Sequence, residues 1–142
     1  MANLIKLEIV TPDRSLLTEE VEYVGAPGVN GEFGVMPNHI PFLSALGVGS
    51  LFYKLNGKKY YIFVSGGFAD VTPTKVTVLA EVAEKADEIS VERARKARER
   101  AEQLIAKQKE DIDYARAKAA MARAMYRVKC RESAVSAGTC TL

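Results

Sequence analysis

Apolar residues recur at every second position through the first part of the chain and at every third or fourth position afterwards. Leu7 and Ile9 alternate with Lys6 and Glu8, and Val21 and Tyr23 with Glu20 and Glu22, the period of two that half-buried strands require. Leu51, Tyr53 and Leu55 run into Asn56-Gly57, and Tyr60, Ile62 and Val64 run out. This pattern predicts a β-hairpin with a two-residue turn, because Asn and Gly both tolerate the positive φ such a turn demands. Gly66-Gly67 and Thr72-Pro73-Thr74 punctuate two further short strands ending in Val76, Val78 and Val82. Many short antiparallel strands with regular turns predict a sandwich or flattened barrel.

Around Ala86 the texture changes. Glycine and proline vanish until Gly138, and Ala, Arg, Glu and Lys dominate, all strong helix formers. Ala94, Ala97, Ala101, Leu104, Ile105 and Gln108 share one face of a first helix. A second helix, from Ile112 to about Lys129, carries Ala115, Ala119, Ala122 and Tyr126 as a stripe, with Ala120, Met121, Ala124 and Met125 around it. Lys109-Glu110-Asp111 joins the helices, Asp111 or Asp113 can cap the second, and so short a polar connection predicts an antiparallel hairpin. The last ten or so residues, with Gly138, read as frayed. The expected architecture is α+β: an N-terminal antiparallel β-sandwich over residues 1–86, then an antiparallel two-helix hairpin over 87–142.

A seam built of alanine methyls holds weakly, since each buried methylene contributes about 0.8 kcal/mol. Such a hairpin can detach and repack if a second surface receives it.

Charge sharpens the division. Residues 1–86 carry 7 basic and 9 acidic side chains, net −2, and the remainder 13 and 9, net +4. No uncharged apolar run approaches the roughly 18 residues that cross a bilayer, and the first residues lack a signal-peptide pattern. Cys130 and Cys140 have neither C-x-x-C spacing nor a histidine partner, which argues for reduced thiols and against a metal site.

The remaining motifs point away from catalysis. Gly28, Gly31 and Gly34 match neither a Walker loop nor a dinucleotide fingerprint, and Pro37 and Pro41 prevent a helix from starting beside them. They read as turn glycines. His39, the sole histidine, has no nucleophile near it in sequence. Arg93, Arg95, Lys96, Arg98 and Arg100 form a basic run without the interleaved aromatics of a nucleic-acid binder. It reads as a solvated helix face or as a contact for an acidic protein surface or a nucleotide phosphate.

With both halves in view, the chain resembles the epsilon subunit of bacterial and chloroplast F-type ATP synthases. The residues that carry the resemblance are GEFGVMPNHIPFLSALGVG (31–49), YIFVSGGFADVTPTKVTVLAE (61–81) and ISVERARKA (89–97), within a match from Leu7 to about Arg127. The resemblance implies a non-catalytic rotor subunit, peripheral on the cytoplasmic face of the bacterial inner membrane and membrane-associated only through its complex. Its sandwich would bind the gamma subunit and the c-ring, coupling ion-driven rotation to ATP synthesis. Its hairpin would rise into the alpha/beta hexamer and inhibit ATP hydrolysis, its basic residues facing acidic beta segments.

Carried over by position, Glu32 and His39 match loop residues near the c-ring. The resemblance requires no cofactor, but some members bind ATP as a regulatory ligand through Ile-Asp-x-x-Arg-Ala at the start of the first helix. Here Ile89-Ser90-Val91-Glu92-Arg93-Ala94 places serine at the aspartate position. Ser90 keeps the cap, its hydroxyl accepting from the amide of Glu92 or Arg93, but loses the charge. If the family aspartate chiefly caps the helix, nucleotide binding persists; if it accepts a hydrogen bond from the ligand, the change costs roughly 1.5–3 kcal/mol, ten- to hundredfold in affinity. Glu84, Arg93, Arg100, Arg123 and Arg127 match the other nucleotide-binding positions. An ATP-sensing module is therefore the alternative to a purely mechanical rotor subunit, and a free-standing hydrolase a distant third.

Overall fold

The computed structural model describes residues 3–107 and 111–140, with no side-chain description for 111–113. Eight strands come first: β1 (Ile5–Val10), β2 (Ser15–Val21), β3 (Tyr23–Gly28), β4 (Gly31–Val35), β5 (Phe42–Ala45), β6 (Val48–Leu55), β7 (Lys58–Val71) and β8 (Lys75–Lys85). A 3-10 turn, Ala86–Glu88, leads to helices α1 (Val91–Ala106) and α2 (Asp111–Ser136). Hydrogen bonding links the strands in the order β2-β1-β8-β7-β6-β3-β4, with β5 paired to β7. All pairs are antiparallel except β1 with β8, which runs parallel from Lys6↔Lys75 to Val10↔Leu79.

Two strands serve both layers of the sandwich. In β7 the core-facing residues are Ile62 and Val64 before the glycine pair and Ala69 and Val71 after it. In β8 they are Val76, Val78 and Ala80, then Ala83. The parity changes in both strands at the same place because Gly66 (φ 75°) and Gly67 (φ 112°) turn the pleat of β7 over, a conformation open to glycine alone at low cost. The ladder nevertheless continues, with Ser65↔Val82 followed by Gly67↔Ala80. The sequence pattern marks Gly66-Gly67 as a boundary between strands; the structure shows one 14-residue strand bent there.

The layer of β3, β4, β6, the first half of β7 and the second half of β8 thus packs against the layer of β1, β2, β5, the second half of β7 and the first half of β8. Between them lie Ile5, Leu7, Ile9, Val24, Val35, Leu51, Ile62, Val64, Val76 and Val78, all essentially without solvent contact. The expected turn is present: Asn56 (φ 54°) and Gly57 (φ 77°) close the hairpin at Leu55↔Lys58.

The helices depart from their predicted faces. Only Ala94 and Ala101 of α1, and Ala117 and Ala124 on the facing side of α2, are buried, while Leu104 is 60% exposed and Ala115, Ala119 and Tyr126 face solvent. The seam therefore repeats every seven residues, the narrow stripe of a two-helix contact, and α2 carries so many alanines that periodicity could not choose between stripes. Gln108 and the Lys109-Glu110 connection lie outside the described residues, as do the side chains of Asp111 and Asp113.

What holds the hairpin down is a second small core. Phe63, Ala86, Ile89, Cys130 and Ala134 are buried together, with Val48, Tyr61, Val82 and Cys140 packed around them. A buried Phe contributes roughly 1.5–3 kcal/mol, more than any alanine of the seam. The predicted frayed tail is ordered as far as Cys140. Gly138 (φ 77°) ends α2 in a Schellman turn, Thr139 N–H donating to the Ala134 carbonyl (2.9 Å) and Gly138 N–H to that of Val135 (3.1 Å). The Thr139 hydroxyl then donates to the Lys59 carbonyl at 2.8 Å, hooking the tail onto the sandwich. Gly138 carries the sequence signal for this cap, whose partners are local; only the contact between Thr139 and Lys59 is contributed by the fold.

Candidate functional site

Where β8, the linker and both helices meet, a cavity of about 450 Å³ opens, lined by Glu84, Glu88, Ser90, Arg93, Arg100 and Arg127, with Lys96 at its side. Ser90 builds one wall. Its extended backbone (φ −87°, ψ 109°) starts α1, and its Oγ accepts from the Arg93 amide at 3.2 Å. Arg93, Lys96 and Arg100 then follow at spacings of three and four, which place them on one helix face. Because the hydroxyl accepts from the backbone, its own hydrogen remains to be donated, which suits an anion.

Glu84 projects from the outer face of β8 and meets Arg127 of α2. One carboxylate oxygen, Oε1, receives both Nη2 (2.8 Å) and Nε (3.0 Å), and the guanidinium lies 4.7 Å from the centroid of the Phe63 ring. Glu88 is held from the sandwich side: its Oε2 accepts from Arg14 Nη2 at 2.8 Å and its Oε1 from the Lys85 amide at 3.2 Å. Burial alone would push the Glu88 carboxyl up, but the hydrogen bonds from Arg14 and Lys85 outweigh it and hold the group below its usual range. Arg93 and Arg100 form no ion pair among the described residues. Four cations against two carboxylates give the cavity a net positive lining, chemistry that suits an anion. Its lining has no histidine or cysteine, and both of its carboxylates are engaged by arginines.

Of the residues singled out from sequence, Glu84, Ser90, Arg93, Arg100 and Arg127 come together in this cavity. Arg123, half-buried on α2 one turn before Arg127, is not part of the lining. Glu88 was missed, and Lys96 was named only as part of the basic run of α1. Lys96 lies three after Arg93 and four before Arg100, so helical spacing carried the signal; Glu88 carried none, because only the fold brings Arg14 to it.

The other two positions are elsewhere. Glu32 is exposed on β4 opposite Pro27, facing a trough flanked by Tyr126 and Lys129 of α2. His39 sits in the loop after β4, where its amide donates to the Met36 carbonyl (3.2 Å), its Nδ1 lies 2.6 Å from the Ile40 carbonyl and its ring is 6.4 Å from that of Phe42. The same loop exposes Met36 (62%) and Ile40 (74%). Nearby, on the outer face of the layer that carries no helix, Phe68 pairs with Ala45 and Leu79. Leu43, Phe68 and Leu79 there are each more than half exposed, an apolar patch of the kind that marks a protein interface.

Family models cover both halves of this architecture. The ATP synthase delta/epsilon chain β-sandwich domain matches residues 4–86, and the delta/epsilon chain long α-helix domain matches residues 87–130. The chain belongs to the ATP synthase delta/epsilon family. It is 60% identical over 134 residues to the ATP synthase epsilon chain of Nitratidesulfovibrio vulgaris, covering 94% of this chain and 100% of the relative. With the epsilon chain of Maridesulfovibrio salexigens it shares 60% over 141 residues, 99% of each. Among solved structures, a chain of the Euglena gracilis mitochondrial ATP synthase, in an OSCP/F1/c-ring assembly, superposes with a TM-score of 0.78 at 26% identity, covering 93% of this chain and 81% of that one. A chain from the central stalk and c-ring of the Tetrahymena thermophila enzyme shares the fold, with a TM-score of 0.59 at 13% identity. Membership makes this a non-catalytic, epsilon-type stalk subunit of ATP synthase. No helix among its described residues is long and apolar enough to cross a membrane.

Proposed function

We propose that this epsilon-type subunit docks its sandwich on the gamma subunit and the c-ring, at the cytoplasmic face of the bacterial inner membrane. From there its hairpin moves between a docked state and one that enters the alpha/beta hexamer and inhibits ATP hydrolysis. The observation that carries the proposal is the division of labour between the two outer faces of the sandwich. One presents Leu43, Phe68 and Leu79 to a partner; the other holds the hairpin through one small core and a few polar contacts. The apolar face is the gamma-docking surface, and the loop with His39, together with Glu32, meets the c-ring. The hairpin's excess of basic side chains suits acidic segments of the beta subunits.

The experiment pairs a deletion with a pull-down. Removing residues 87–142 should leave gamma binding intact and raise ATP hydrolysis by the assembled complex. Failure of the folded full chain to bind gamma would overturn the docking, and an unchanged hydrolysis rate would overturn the inhibitory hairpin.

The cavity favours a second reading, in which ATP is a regulatory ligand of the docked hairpin. About 450 Å³ falls within the roughly 300–1,000 Å³ of small-molecule sites, and Arg93, Arg100, Arg127 and Lys96 supply the donors that phosphates need. Titration of ATP into the isolated chain decides it: saturable binding below millimolar supports the reading, and no heat or chemical-shift change removes it.

A further inference from the structure

Arg131 lies seven residues beyond Ala124 and fourteen beyond Ala117, the two buried alanines on the seam side of α2. It therefore occupies the third position of the same heptad stripe. At that level α1 has not yet begun, and the seam faces the linker instead of a helix. There Nη1 of Arg131 donates to three linker carbonyls, those of Ala86 (3.2 Å), Asp87 (3.3 Å) and Ile89 (3.1 Å). Carbonyls at the end of a 3-10 turn lack intrahelical donors. Within this turn Ile89 N–H returns to one of them, Ala86 O, at 3.3 Å.

We propose that Arg131 is the clasp of the docked hairpin, a positioning residue that ties α2 directly to the linker between the two halves. The tie sets where Ser90 stands, hence where α1 starts and how Arg93 and Arg100 face Glu84 and Arg127 across the cavity. The linker is gripped from the other side by Arg14 through Glu88, so sandwich and α2 close on the same few residues. Undocking the hairpin requires the guanidinium to leave all three carbonyls. The clasp as a structural element stands on geometry alone; its regulatory meaning rests on the hairpin function proposed above.

Amide hydrogen exchange on the full isolated chain, without ATP or other subunits, tests the clasp. Arg131→Met keeps the length and apolar stem of the side chain and removes its donors; Arg131→Lys keeps a donor without the planar fork. The expected result is exchange at least tenfold faster over residues 86–94 and 127–137 in the Met variant, wild-type rates in β1 and β6, and an intermediate rate in the Lys variant. Linker exchange within twofold of wild type in Arg131→Met overturns the proposal, and so does a uniform acceleration across the sandwich. Hydrolysis by complexes assembled with Arg131→Met then separates the two readings. Faster linker exchange with stronger inhibition supports both, whereas faster exchange with unchanged hydrolysis keeps the clasp and overturns the inhibitory hairpin.

Discussion

Glu84 of β8 and Arg127 of α2 meet at 2.8 Å, with the arginine lying over the ring of the fully buried Phe63. The pair is half-buried, and it fastens the hairpin while forming a wall of the cationic cavity. Arg127→Ala should weaken hairpin docking by about 1–2 kcal/mol through lost ion pairing and lost contact with Phe63. Glu84→Gln should weaken it less, yet tighten ATP binding two- to fivefold, roughly 0.5–1 kcal/mol, by removing a carboxylate from an anion site. Urea unfolding and calorimetric titration of the two variants check both directions.

The cavity lining predicts a difference between arginines that the family pattern treats alike. Arg100→Ala should lower ATP affinity about fivefold, the loss of one partly exposed charge-assisted contact. Arg123→Ala, outside the lining, should leave affinity within about twofold. Equal losses in the two titrations would place the ligand elsewhere.

Cys130 reports whether the hairpin is docked. It has no solvent contact between α2 and the sandwich, and burial pushes its thiol up to about 12, so the reactive thiolate is scarce at neutral pH. With Cys140→Ser as background, alkylation of Cys130 should be slow in the native chain and accelerate in Arg127→Ala by about the tenfold implied by its lost docking energy. Iodoacetamide labelling followed by mass spectrometry measures this.

Glu88 makes linker attachment acid-sensitive. Its folded-state carboxyl is held below the ordinary range by Arg14 and the Lys85 amide. The stabilisation it supplies is therefore complete above the unfolded carboxylate value, about 4.3, and is lost as pH falls through the lower folded value. The stability gap between wild type and Glu88→Gln should be constant from pH 8 to about 5 and shrink toward zero in stronger acid. Denaturant unfolding across that range is the measurement.

Gly67 carries the bend that allows β7 to serve both layers. Its φ of 112° disfavours any side chain, and a Cβ there would collide with the Leu79 carbonyl. Gly67→Ala should cost about 3 kcal/mol, visible as a lowered Tm with the helices and sandwich lost together.

Much of the sandwich is legible in the chain because one face of each strand is buried, and a period of two records that directly. Leu7 and Ile9 are buried as their alternation implies, and Asn56-Gly57 makes the predicted turn. The glycine pair was legible as a special backbone position, but a bend and a break have the same composition. The helices were legible as helices and misleading as to their faces, because a run rich in alanine has little contrast between buried and exposed sides. Ser90 was readable as a cap for the opposite reason: a short polar side chain before a helical run has one common use.

The sequence by itself determined a β-rich unit followed by helices, a cap at Ser90 and a supply of arginines on helical faces, since all of these rest on interactions within a few residues. Only the tertiary structure decided that Glu84 meets Arg127 43 residues away, that Arg14 reaches Glu88 across 74, and that Arg131 closes on the linker. Those contacts depend on how α2 lies on β6 and β7, and that placement is chosen by the burial of Phe63, Cys130 and Ala134 together. Local periodicity records that such residues are apolar, but not which of them meet.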